Sequence, residues 1–147
     1  MKFITALAFA ASASAAAIEP RQTRMLLNNF EAACIPHSTF CEVSFSVESD
    51  PSLPESHCEA RRQSTNGKLP AFADGKCEDN DAYTWGLIDT QDGGFRVGIS
   101  FPFNSRSNLT YCSPLPASNF EIVDGGSVQT QKYIGPTSFD VSVFACA

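Results

Sequence analysis

Six cysteines, Cys34, Cys41, Cys58, Cys77, Cys112 and Cys146, follow an apolar leader in a chain of 147 residues. An even set of cysteines in a small exported domain reads as three disulfides, and cross-links of that number imply a compact, oxidised body. The leader has the order of a secretory signal peptide. Met1-Lys2 supplies one positive charge, Phe3 to Ala17 is apolar or small throughout, and Ala15-Ala16-Ala17 offers small residues for cleavage. A membrane anchor is excluded by length, because roughly 20 apolar residues are needed to span a bilayer. The expected division is a signal peptide over 1–17, an N-terminal arm over 18–27 and a disulfide-bonded β domain over 28–147. The mature protein is expected to be secreted, extracellular and soluble, and the C-terminal Val-Phe-Ala-Cys-Ala has no lipid-anchor pattern.

Loss of Lys2 with the leader takes the formal charge from −6 to −7. An acidic surface argues against nucleic acid, whose affinity rests on Lys and Arg neutralising phosphates. It argues equally against anionic membranes. The remaining chain is long enough for one core and short for two.

From Asn28 onward the pattern is that of strands. Val43, Phe45 and Val47 alternate with Glu42, Ser44, Ser46 and Glu48. Asp50-Pro51-Ser52-Leu53-Pro54 ends that strand. A short strand is expected around His57–Arg61, then a long polar loop from Gln63 to Asp81. The clearest hairpin sets Tyr83, Trp85 and Leu87 against Phe95, Val97, Ile99 and Phe101, with Gly93-Gly94 in the turn. Further strands are expected at 109–112, 120–123, 128–133 and 139–145. The arm residues Met25, Leu26 and Leu27 suit the start of a short helix or a cover over a core edge. The fold class is therefore all-β, a single antiparallel sandwich or barrel of about seven or eight short strands stapled by disulfides.

Spacing favours sequential cysteine pairing. Cys34 and Cys41 flank the Pro36 turn, Cys58 and Cys77 bracket the polar loop, and Cys112 with Cys146 would tie the last strand to an inner one. Closing the second loop is worth roughly 3 kcal/mol on the chain-entropy model. Zinc sites favour ligand gaps of about two to four residues. The closest cysteines here have six between them, so no metal site is expected.

No catalytic residues and no cofactor-binding motif emerge. Glu42, Glu48 and Glu59 fall on outward strand positions. Glu78, Asp79 and Asp81 read as a solvated loop or a weak calcium site. His37 reads as a turn residue and His57 as a strand or loop residue. No G-x-S-x-G surrounds a serine. Arg61-Arg62 is a dibasic pair, and Arg21 or Arg24 could end a pro-segment. Tyr83 and Trp85 would make a sugar-stacking platform if exposed, though the alternation places them inside. Asn108-Leu109-Thr110 is a glycosylation sequon.

These residues carry a resemblance. The run from Cys41 through Glu-Val-Ser-Phe-Ser-Val-Glu-Ser-Asp to Pro51, Cys58-Glu-Ala60, Leu69-Pro70 leading to Cys77, Tyr83-Thr-Trp85 and the strand Phe95–Phe103 resemble fungal small secreted cysteine-rich proteins of the Alternaria major allergen type. That resemblance implies a β-barrel or sandwich and a role as allergen, elicitor or effector at a host surface. It transfers no catalytic residue. In that family the first cysteine can link two subunits, whereas the even count here favours a monomer. The expected function is a secreted, non-enzymatic protein that binds a host or extracellular component. The alternatives are a carbohydrate or cell-wall-binding module and a small secreted hydrolase.

Overall fold

The structure is a computed structural model, described over residues 23–147. The expected signal peptide and residues 18–22 of the expected arm lie outside the described residues. Ten strands follow one another: β1 (Arg24–Cys34), β2 (Phe40–Glu48), β3 (Ser56–Gln63), β4 (Phe72–Cys77), β5 (Asn80–Asp89), β6 (Phe95–Asn104), β7 (Ser107–Leu115), β8 (Phe120–Asp124), β9 (Gln129–Tyr133) and β10 (Phe139–Ser142). All pair antiparallel. β1 to β7 lie side by side in chain order, and β10 joins β7 to β1, so eight strands close a barrel. The seam is uneven: β10 meets β1 at four positions, Arg24 to Leu27, and meets β7 at one, Ser142 opposite Cys112. β8 and β9 form a hairpin outside this ring, joined to it where Lys132 pairs with Ala33 of β1.

β1 begins at Arg24, so the last four residues of the expected arm are a barrel strand rather than a helix or a cover. Its burial pattern explains why the alternation is hard to read. Met25 and Leu27 point inward, then Phe30, Ala32 and Cys34 do, a change from odd to even positions. A β-bulge makes the change. Asn29 sits at φ 54° between the paired Asn28 and Glu31. Asn tolerates this left-handed conformation better than most side chains.

Alternate residues of the ring fill the core. Trp85 is its centre, 1% exposed, with Phe45 and Phe72 edge-on at 4.7 and 5.0 Å between ring centroids. Its indole N–H donates to the carbonyl of Lys76 at 3.0 Å. Phe30 meets Tyr133 and Phe139 edge-on, extending the cluster toward the β8–β9 hairpin.

β4 lies within the stretch that reads as polar loop. Phe72-Ala-Asp-Gly-Lys-Cys77 has the composition of a turn, yet it pairs with β3 and β5. Two tertiary features make it a strand. The Trp85 ring lies over Gly75, where a Cβ would come within 2.6 Å of the indole. The disulfide from Cys77 to Cys58 then fixes it to β3, at directly opposed positions. Cys34 and Cys41 are likewise opposed and bonded across β1 and β2. The third disulfide differs. Cys112 lies on the opposite face of β7 from the buried Tyr111 and Leu115, and bonds Cys146 on the outside of the barrel. To bring Cys146 there the chain leaves strand geometry at Ser142 and makes a 3-10 turn over Val143–Cys146, so the strand expected over 139–145 is cut short. Arg96 Nη1 donates to the Cys146 carbonyl at 3.3 Å and holds the turn down.

Candidate functional site

A groove of about 580 Å³ lies at one end of the barrel. One wall is the segment 63–71 that joins β3 to β4. It is built by local hydrogen bonds: Ser64 N–H donates to Thr39 O at 2.6 Å, Ser64 Oγ donates to Lys68 O at 2.6 Å, and Lys68 N–H donates to Asn66 Oδ1 at 3.1 Å. The opposite wall is the β8–β9 hairpin, and Gln131 connects the two. Its backbone N–H donates to Gly67 O and its side-chain Oε1 accepts from Leu69 N–H, both at 2.8 Å. The turn end of the β5–β6 hairpin supplies the third side, with Asp89, Gly93 and Phe95. Beside it, the Phe120 ring of β8 packs between Phe95, tilted at 5.3 Å, and Tyr133, edge-on at 5.4 Å.

The lining is mixed: amides and hydroxyls from Gln63, Ser64, Asn66 and Gln131, one amine from Lys68, one carboxylate from Asp89, and apolar surface from Leu69, Pro70 and Ile122. Beside it, hydrogen bonds from the Thr90 hydroxyl and the Gly94 N–H hold the Asp92 carboxyl below the usual carboxylate range. Burial pushes the Tyr133 phenol above its ordinary value, and its hydroxyl donates to Pro136 O at 2.8 Å.

Leu69, Pro70, Gly93 and Phe95, read in the sequence as structural positions, line this groove, whereas none of the acidic, histidine, dibasic or sequon candidates does. Glu42 and Glu59 are exposed and Glu48 is half-buried, on the outer faces of β2 and β3. His37 occupies the β1–β2 turn at φ 60°. His57 and Glu59 stand on one face of β3, 3.6 Å apart, and Glu78 joins them, its backbone N–H donating to His57 O at 2.9 Å. Their ligand-type atoms lie within 4.8 Å of one another, and all three side chains are exposed. The β3–β4 pairing and the Cys58–Cys77 disulfide account for this juxtaposition, which sequence spacing does not show. Asp79 and Asp81 are exposed at the β4–β5 turn and outside that group.

Arg61 and Arg62 are structural surface residues. Arg61 lies over the Phe40 ring and 3.6 Å from Glu42, while Arg62 lies over Phe72 and donates to Asp74 Oδ1 at 2.8 Å. The pair sits within β3, paired with Glu42 and Cys41 of β2, which shields that peptide bond from a processing protease. Trp85 and Tyr83 are buried, so they form no stacking platform. Asn108 is exposed near the tip of the β6–β7 hairpin, and the Thr110 hydroxyl shares a 2.6 Å hydrogen bond with Ser100.

No family model, curated protein or solved structure matches this chain. Among the described residues, no helix is long and apolar enough to cross a membrane.

Proposed function

We propose that this is a secreted, non-enzymatic binding protein of effector or elicitor kind, which holds a host or other extracellular component in the groove between residues 63–71 and the β8–β9 hairpin. The observation that carries this reading is the lining of the groove. Donors and acceptors share its walls with apolar surface from Leu69, Pro70 and Ile122, the mixed lining of a recognition site. Glycoside hydrolysis ordinarily asks for two carboxyl groups about 5–10 Å apart. This groove presents Asp89 as its one lining carboxylate.

Three disulfides in a small β domain suit an oxidising exterior, and the leader supports export. All six cysteines are paired within the chain, which supports a monomer. The likeness of strand and cysteine pattern to fungal secreted allergen-type proteins supports the effector character. Exposure of Asn108 supports a glycan at the sequon.

Immobilised protein, compared with a Lys68→Glu, Asp89→Lys double variant, tests the reading on host extracellular fluid. The native groove is expected to retain a defined component that the variant loses. Equal recovery by both, or nothing above background, removes the reading. Retention of a wall polysaccharide in place of a protein would transfer the groove to the carbohydrate-binding class.

A further inference from the structure

Eight strands close on themselves, but the sheet order terminates at β8. Gln131 of β9 gives its N–H to Gly67, away from β8, so Ile122 and Gln131 form the pair that exchanges no ladder hydrogen bonds. Antiparallel alternation then turns the N–H and C=O of Ile122 and Asp124 away from β9, onto the open edge. The Phe120 N–H at the start of the strand is taken by Ala117 O. Among the described residues no other backbone group pairs with this edge.

Natural edge strands are commonly guarded by lysine, proline or a covering loop. Phe120-Glu-Ile-Val-Asp124 has neither lysine nor proline, and Ile122 and Val123 are exposed. Ile122, 50% exposed, lines the groove with Asp89, Gly93 and Phe95. A strand laid along β8 would therefore set one row of side chains toward the groove and the other beside Glu121 and Val123.

Charge decides between occupants. Glu121, Asp124 and Asp89 surround the edge, with Lys68 and Lys132 as the cations near it. A second copy pairing through β8 would merge two such acidic edges in chains whose formal charge is −6, or −7 once Lys2 is lost with the leader.

We propose that β8 and the groove accept, as an added strand, an extended segment of a partner protein that alternates apolar residues with Lys or Arg. This inference rests on the groove being the binding site and specifies how it is occupied. Main-chain hydrogen bonds to Ile122 and Asp124 would supply affinity, and the alternate side chains specificity.

The test uses the oxidised mature protein and three synthetic probes: Ac-Lys-Val-Lys-Val-Lys-Val-Lys-amide, its counterpart with glutamate for lysine, and the lysine peptide with its central valine replaced by proline. The lysine probe is expected to bind about tenfold or more tightly than either other probe. At saturation it should slow exchange of the Ile122 and Asp124 amide protons by a similar factor, about tenfold. Ile122→Pro removes an outward N–H without breaking a β8–β9 hydrogen bond, and should abolish both effects. Glu121→Lys, a surface change that keeps the backbone, should erase the preference for the lysine probe.

Strand addition is overturned if the lysine probe does not bind at millimolar concentration, or if it binds while the Ile122 and Asp124 amides exchange as before. In the second case shifts at Leu69 and Phe95 would keep the groove as a binding site and discard the strand. Self-association in sedimentation, lost in Ile122→Pro, would assign the edge to a second copy and likewise overturn the proposal.

Discussion

The β5–β6 and β8–β9 hairpins are built from the same local grammar and end as opposite kinds of surface. Each turns on a glycine pair with one member at positive φ, Gly93 at 86° and Gly126 at 92°. In each an aspartate side chain accepts from the backbone N–H of a turn glycine, Asp92 from Gly94 and Asp124 from Gly126, both at 3.1 Å. Yet β5 and β6 have neighbours on both sides and bury Tyr83, Trp85, Leu87, Phe95, Val97 and Ile99. β8 has one neighbour and is anchored through Phe120, with the rest of the strand exposed. Turn chemistry makes a hairpin, and the number of flanking strands decides whether it becomes core or edge.

The contrast can be broken at its strongest point first. Trp85→Ala empties the middle of the β5–β6 hairpin and is expected to cost about 3–5 kcal/mol in denaturant unfolding. A loss near 1 kcal/mol would mean that this hairpin is no more central than β8–β9. Replacing Cys58 and Cys77 together by alanine should cost about 3 kcal/mol through the freed loop, and β4 should be the first ring strand to lose amide protection. Phe120→Ala should cost about 2–3 kcal/mol, because this ring is where β8 touches the core. Ile122→Ser should change stability by no more than about 0.5 kcal/mol. If Phe120 and Ile122 proved equal, the division of β8 into an anchor and an edge would fail.

The smallest expected effect is an acid one. The guanidinium of Arg62, hydrogen-bonded to Asp74, holds that carboxyl below its ordinary 3.8. A depressed folded-state value stabilises the native state above the unfolded value, and the contribution is lost as pH falls through the folded one. Asp74→Asn should therefore flatten the fall of stability below about pH 4 and leave neutral stability nearly unchanged, since both groups are on the surface. Thermal unfolding of the two proteins across pH 2–6 reads this directly; a parallel fall in both would detach Asp74 from acid sensitivity.

The β5–β6 hairpin is legible in the sequence because its inward residues are large, regularly alternate and bounded by glycines. The β2 strand is legible for the same reason. β4 is not, because Ala73, Asp74, Gly75 and Lys76 carry no apolar alternation. Its strand character comes from the Trp85 ring and from Cys58, which belong to other elements. The start of β1 was obscured by the phase change at Asn29. The groove is the least legible feature. Its frame depends on Gln131 bonding Gly67 and Leu69 across more than sixty positions of chain, and a glutamine in a polar strand gives no local sign of that. The edge at β8 is equally hidden, since local pattern shows that a strand exists and not how many neighbours it has.

The seam between β10 and its two neighbours sets an order on folding. β1 to β7 can zip together neighbour by neighbour as the chain proceeds, each pairing closing a short loop. The ring itself waits for β10, which must bring opposite ends of the domain together, the slowest sort of contact to form. Until then β1 and β7 are both open margins. Because Cys112 stands opposite Ser142 and its partner Cys146 ends the turn that follows β10, oxidation of this pair records that β10 has docked on β7, one of the two contacts that close the ring. The appearance of that one disulfide during refolding would thus serve as a clock for the docking of β10 on β7.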